Sequence, residues 1–224
     1  MTTDSTHRKL RFLAGFAVYF GALWLLWGTP IVYPLKIFVV LLHEVSHGIA
    51  AVATGGSIQR IVLDPYQGGA TYTVGGSAFV TLSAGYLGSL AWGALMVEAA
   101  RAKRVRSDWV IGAIGGLVVV LTVLFVRSGF GIAFGALFGV ALVGASRKLS
   151  IGLNRSLLLT LGMTSSLYAI LDIKSDVLDR PTLESDAFML GRLTGVPTMV
   201  WGIVWIAVAV GVTALLFRRA YRDA

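Results

Sequence analysis

Leu35-Lys36-Ile37-Phe38-Val39-Val40-Leu41-Leu42-His43-Glu44-Val45-Ser46-His47-Gly48-Ile49-Ala50-Ala51-Val52-Ala53-Thr54 is an apolar run of membrane-crossing length with ionisable side chains in its middle. In hydrocarbon such groups typically cost about 2.5 kcal/mol or more each. The run nevertheless holds two of the chain's three histidines and one of its three glutamates. On a helix the imidazoles at i and i+4 share a face with Glu44 beside them, the spacing that lets a zinc ion be held while a carboxylate acts on water. Place and pattern together point to metal chemistry inside a membrane.

The surrounding sequence agrees with that setting. The 224 residues are 56% hydrophobic and 13% charged, with a mean hydropathy of +0.80, outside the range of soluble domains. Apolar stretches of roughly 17 to 24 residues recur near 12–28, 35–54, 76–99, 109–126, 129–145, 155–173 and 198–217. They predict an all-α polytopic membrane protein of about seven transmembrane helices, a single domain over 1–224, with the first span left uncleaved. Gly131, Gly135 and Gly139 form a small-residue stripe suited to close helix packing. Trp24, Trp27, Trp201 and Trp205 read as anchors at the membrane interface. The net charge of +8 sits at the ends of apolar segments, where Lys and Arg meet lipid headgroups. The expected partner is therefore the bilayer and not nucleic acid. Alternation through seven crossings puts Arg101, Lys103, Arg104, Arg106, Arg147, Lys148 and Arg155, with Arg218, Arg219 and Arg222, opposite Arg8, Lys9 and Arg11.

Two regions interrupt the helical pattern. Ser57–Leu63 and Ala70–Val74 are rich in β-branched residues around the turn Asp64-Pro65-Tyr66-Gln67-Gly68-Gly69, predicting a β-hairpin between the second and third spans. An open strand edge is not tolerated facing lipid, so the hairpin should lean on the helices or line a wet cavity. The second region, Asp172 to Pro197, holds Asp172, Asp176, Asp179, Glu184 and Asp186, five of the eleven acidic residues.

Cysteine is absent, which excludes disulfides, thiolate zinc sites and a cysteine nucleophile. A catalytic zinc site usually has three protein ligands, so one more must come from elsewhere in the chain. Asp4, His7 and Asp223 are terminal, Asp108 lies in a basic loop, Asp64 suits its turn, and Glu98 can pair with Arg101. The acidic region remains. Asp172 and Asp176 lie one helical turn apart at the foot of a span, and Asp172, the deeper, is the expected ligand. Asp176 is a partner orienting a histidine, or the ligand itself. The competing reading of both is a helix-end pairing with Lys174 or Arg180.

Taken together, these residues resemble the site-2 protease class of intramembrane zinc metalloproteases, the M50 family, in its M50B-like branch. The similarity runs from His43-Glu44-Val45-Ser46-His47-Gly48 through Gly68-Gly69-Ala70-Thr71 and Ser83-Ala84-Gly85-Tyr86-Leu87-Gly88. It continues in Tyr168-Ala169-Ile170-Leu171-Asp172-Ile173 with Asp176, in Ser185-Asp186-Ala187 and in Trp201-Gly202-Ile203-Val204-Trp205. The resemblance implies Zn2+ held by His43, His47 and Asp172, with Glu44 as general base. It also implies a membrane-embedded or membrane-proximal peptide substrate, presented with help from the hairpin, and a plasma or inner membrane of a prokaryote as the location. The family's Asn-Pro and Asp-Gly pairs are missing. Asn154, the single asparagine, lies about 27 Å from Asp172 along a helix, too far to serve the same carbonyl. The alternative from a different class is a catalytically degenerate scaffold or an ion or proton relay.

Overall fold

In a computed structural model the described residues, 2–179 and 184–223, form eight α-helices, a π-helical turn and one two-stranded sheet. Arg180 and the side chains of Asp4, Arg8 and Asp223 lie outside the description. The helices are α1 (Thr2–Leu26), α2 (Tyr33–Ala53), α3 (Ala78–Arg101), α4 (Ser107–Phe125), α5 (Gly129–Lys148), α6 (Ile151–Ile173), α7 (Asp186–Thr194) and α8 (Thr198–Asp223). All except α7 are long and apolar enough to cross a membrane, and α6 continues into the π-helical turn Lys174–Asp179. Each predicted span coincides with one of these seven helices.

Local chemistry sets the helix ends. Pro34 opens α2, where its missing N–H is not needed. Ser77, Ser128, Ser150 and Ser185 cap α3, α5, α6 and α7, each hydroxyl accepting a backbone N–H of the first turn. Thr54 Oγ1 donates to Ala50 O and accepts from Ser77 N, both at 2.8 Å, tying the end of α2 to the start of α3. Gly195, at φ 76°, stops α7.

The core gathers around α2, whose Ile37, Phe38, Val39 and Leu41 are almost wholly buried. Outer helices keep apolar side chains facing outward, Leu137 and Val123 among them, as a lipid-facing surface requires. Small residues let the helices close. A Cβ on Gly93 of α3 would meet Ser166 N at 2.7 Å and Gly162 O at 2.8 Å on α6. On α5, Gly135 packs against Thr122 and Gly139 against Gly115 and Val119 of α4, the packing role expected of that stripe.

Strands β1 (Ser57–Leu63) and β2 (Gly69–Val74) pair antiparallel from Ser57↔Val74 to Leu63↔Gly69, with a bulge between Ile58 and Arg60. Asp64 Oδ1 closes the turn by accepting from Tyr66 N at 2.7 Å and Gly68 N at 3.0 Å. The outer edge of β1 is taken up by the α4–α5 connection. Ile61 bridges Val126, Arg127 N donates to Ile61 O, and Ser128 Oγ bonds both Leu63 N and Leu63 O. The hairpin leans on α2, as a strand pair in an apolar setting must.

Two expectations change. Lys9 Nζ lies 5.5 Å from the Tyr221 ring centre and Phe16 meets Phe217 edge-on at 4.8 Å, so α1 begins beside the end of α8. Tyr19 Oη meets Thr164 Oγ1 at 2.9 Å and Trp27 packs near Tyr168, so α1 then runs alongside α6. Lys9 and Arg11 therefore stand with the basic residues at the end of α8, not opposite them. Strict alternation assumes that every apolar segment crosses from end to end. Trp205 is likewise a core residue and not an interface anchor. Trp205 is buried 5.3 Å from the Tyr86 ring, and Trp201 packs beside Phe79.

Gly93→Val should destabilise the α3–α6 contact by about 1–3 kcal/mol through overpacking. Thermal melting of detergent-purified protein checks this, and an unchanged melting temperature would show that the contact is not tight.

Candidate metal centre

The i, i+4 spacing on α2 brings the His43 and His47 rings to 4.8 Å between centres. A single carboxylate oxygen faces both, with Asp186 Oδ2 at 3.0 Å from His43 Nε2 and 3.3 Å from His47 Nε2. Among the described residues these three side chains form the cluster able to hold a metal ion, one ligand atom each, all within 4.8 Å of one another.

The donor set passes a test of fit. His47 Nδ1 lies 2.7 Å from Thr81 O, and a carbonyl can only accept, so Nδ1 carries the proton and Nε2 presents a lone pair. That lone pair then confronts Asp186 Oδ2, which is buried and makes no hydrogen bond. Two acceptors at that separation repel each other unless positive charge lies between them. Nitrogen and oxygen donors with three protein ligands suit zinc, and the Thr81 carbonyl is the outer partner that fixes a ligating imidazole. His43 is held differently, edge-on against the Tyr86 ring at 4.8 Å.

Asp186 reaches the pair from α7. Ser185 caps that helix, placing Asp186 in its first turn, where the helix dipole favours a carboxylate, while Ala187 and Leu190 are completely buried beneath it.

The glycines of the intervening motifs explain how backbone comes so close. A Cβ on Gly85 of α3 would run into His43 Nε2 and Asp186 Oδ2, and one on Gly88 into Ser46 Oγ. A Cβ on Gly69 of β2 would meet Glu44 Cγ and Oε1 at 2.7 Å. Glu44 is buried beside the histidines, with Thr71 Oγ1 placed 2.8 Å from both its Oε2 and its backbone oxygen. The hairpin thus packs directly on this carboxylate.

The carboxylate at the imidazole pair is Asp186 and not the expected Asp172. Asp172, although within electrostatic reach of His43 and Tyr86, stands outside the cluster. Depth in a span favoured it in the sequence, but a short helix folded back beneath the spans can bury a carboxylate just as well. The available signal was the pair Ser185-Asp186, a cap followed by an acid ahead of an apolar turn. Asp176 touches neither histidine as its hydrogen-bonding partner and accepts from Tyr86 Oη at 3.3 Å. Lys174, weighed as a partner for the aspartates, pairs instead with Asp179 at 2.6 Å. Glu98 pairs with Arg101 at 2.9 Å as expected, and Asp108, in the first turn of α4, pairs with Arg106 at 2.7 Å. Asn154 is remote from the centre. Its Nδ2 caps the α5–α6 turn at Ala145 O, Leu149 O and Ser150 O.

No curated protein and no solved structure matches the chain. The sequence does match a family, described as Peptidase M50B-like, over residues 16–216. With most of its length covered, from within α1 to near the end of α8, the chain belongs to the Peptidase M50B-like family.

Proposed function

We propose that the protein is an intramembrane zinc metalloprotease. In this reading His43, His47 and Asp186 hold the metal, and Glu44 is the general base for hydrolysis of a peptide bond in a membrane-embedded or membrane-proximal substrate. The observation that carries it is the meeting of two imidazole nitrogens with one buried carboxylate oxygen that has no hydrogen bond of its own. Bound there, zinc supplies a Lewis acid that makes water nucleophilic near neutral pH and polarises a carbonyl.

Residues of the chain itself do the rest. Glu44 takes the proton of the attacking water and returns it to the leaving amine, work that needs a carboxylate fixed in place. The Thr71 hydroxyl and the close approach of Gly69 hold it. A substrate helix has its backbone already paired and must unwind before it can be cut. The freed groups need new partners, and an extended segment can find them along a strand edge. Because the α4–α5 connection takes up the edge of β1, the edge of β2, which carries Gly69 and Thr71 against Glu44, is the one left for substrate.

Glu44→Gln is expected to reduce peptide hydrolysis by about 10²–10⁴-fold with the metal content unchanged. Hydrolysis at the wild-type rate by the purified variant would remove Glu44 from the role. For the ligands, Asp186→Ala and the double variant His43→Ala/His47→Ala should each lose stoichiometric zinc in elemental analysis of purified protein. Asp172→Ala should keep it. Zinc lost from Asp172→Ala and kept by Asp186→Ala would reverse the assignment, and zinc bound without hydrolysis of any peptide would favour the scaffold reading.

A further inference from the structure

A cavity of about 1050 Å³ opens among α1, α3, α6 and α8, away from the metal centre, at the end of the bundle where α3 stops and α6 starts. Its walls are mostly apolar, with Phe16, Leu159, Met163, Leu216 and Phe217 contributing. Its mouth is basic, built from Arg11 on α1, Arg101 and Lys103 at the end of α3, and Arg155 at the start of α6. Arg101 pairs with Glu98, which also faces Arg219 at 3.7 Å, and Arg155 donates to Ala100 O and Arg101 O. Among the described residues that line the cleft, four are basic and none is acidic, which leaves the mouth positive.

These features call for an amphipathic, anionic occupant. Water gains little from apolar walls, and a free anion would fill the mouth and leave the greater part of the volume without contacts. Acyl chains match the walls, and a phosphate headgroup matches the arginines and the lysine. Basic pockets between spans are known to take such headgroups. We propose that this cleft is a binding site for one anionic phospholipid, inserted between α1 and the rest of the bundle. Its headgroup lies against Arg11, Lys103, Arg101 and Arg155. The cleft lies beside α1, whose Phe16 and Tyr19 both line it while they meet Phe217 and Thr164.

The test is native mass spectrometry and thermal melting of the full chain in detergent. The probes are phosphatidylglycerol, phosphatidylcholine with the same acyl chains, and inorganic phosphate. One phosphatidylglycerol per chain should be retained and should raise the melting temperature, while phosphatidylcholine and phosphate do neither. Arg11→Gln/Lys103→Gln should weaken retention by about tenfold or more, given the attraction of each basic group for an anionic lipid. Gly15→Trp should abolish retention by filling the cleft, since a side chain on Gly15 meets no protein atom within 4 Å. Equal retention of the two lipids, retention unaffected by Gly15→Trp, or stabilisation by phosphate alone would each overturn the proposal. Neither variant touches the metal-centre residues, so a failure here leaves the reading of His43, His47 and Asp186 standing.

Discussion

Two imidazole nitrogens and a carboxylate oxygen converge at 3.0–3.3 Å in a place that water hardly reaches, and the organisation of the chain follows from that convergence. The arrangement is unfavourable without a cation, because the Thr81 carbonyl commits one histidine proton elsewhere and leaves a lone pair facing a lone pair. Each neighbouring element contributes to holding it. Helix α3 comes close enough only because Gly85 and Gly88 lack side chains, and α7 is capped so that its first acid points at the pair. The hairpin presses Gly69 and Thr71 onto Glu44.

Much of this architecture could be read from residue order because the bilayer imposes harsh rules. A helix must be about 20 apolar residues long to cross, so seven such runs declare seven helices of crossing length. Ser57–Val74 announces itself through β-branched residues about an Asx turn, and the two histidines through their cost in hydrocarbon. Asp186 was hidden for a physical reason. Depth within a span is one way to bury a carboxylate, but the first turn of a short helix, backed by two imidazoles, is another. Sequence order gives no measure of how a segment after a span folds back. The same limit concealed Trp205, which lies against Tyr86 although its position near a helix end suits a headgroup anchor. It also concealed the course of α1, which only the ring contacts with α8 reveal.

The hairpin illustrates how a strand pair survives among spans. A two-stranded ribbon is marginal alone, and both of its edges carry unpaired backbone groups. Here one edge is closed by Val126, Arg127 and Ser128, with a side-chain hydroxyl standing in for a backbone partner on both sides of Leu63. The asymmetry gives the ribbon one closed edge, on β1, while β2 is the strand that touches Glu44.

The placement of Asp186 on α7 has a consequence for biogenesis. The imidazole pair leaves the ribosome early, whereas its carboxylate follows only after α3 through α6 have been made, on a short helix whose Ala187 and Leu190 share a buried cluster with Trp205 of α8. Until then the nascent chain lacks the carboxylate that faces the imidazole pair. The three-residue cluster is therefore absent from every form that stops short of α7.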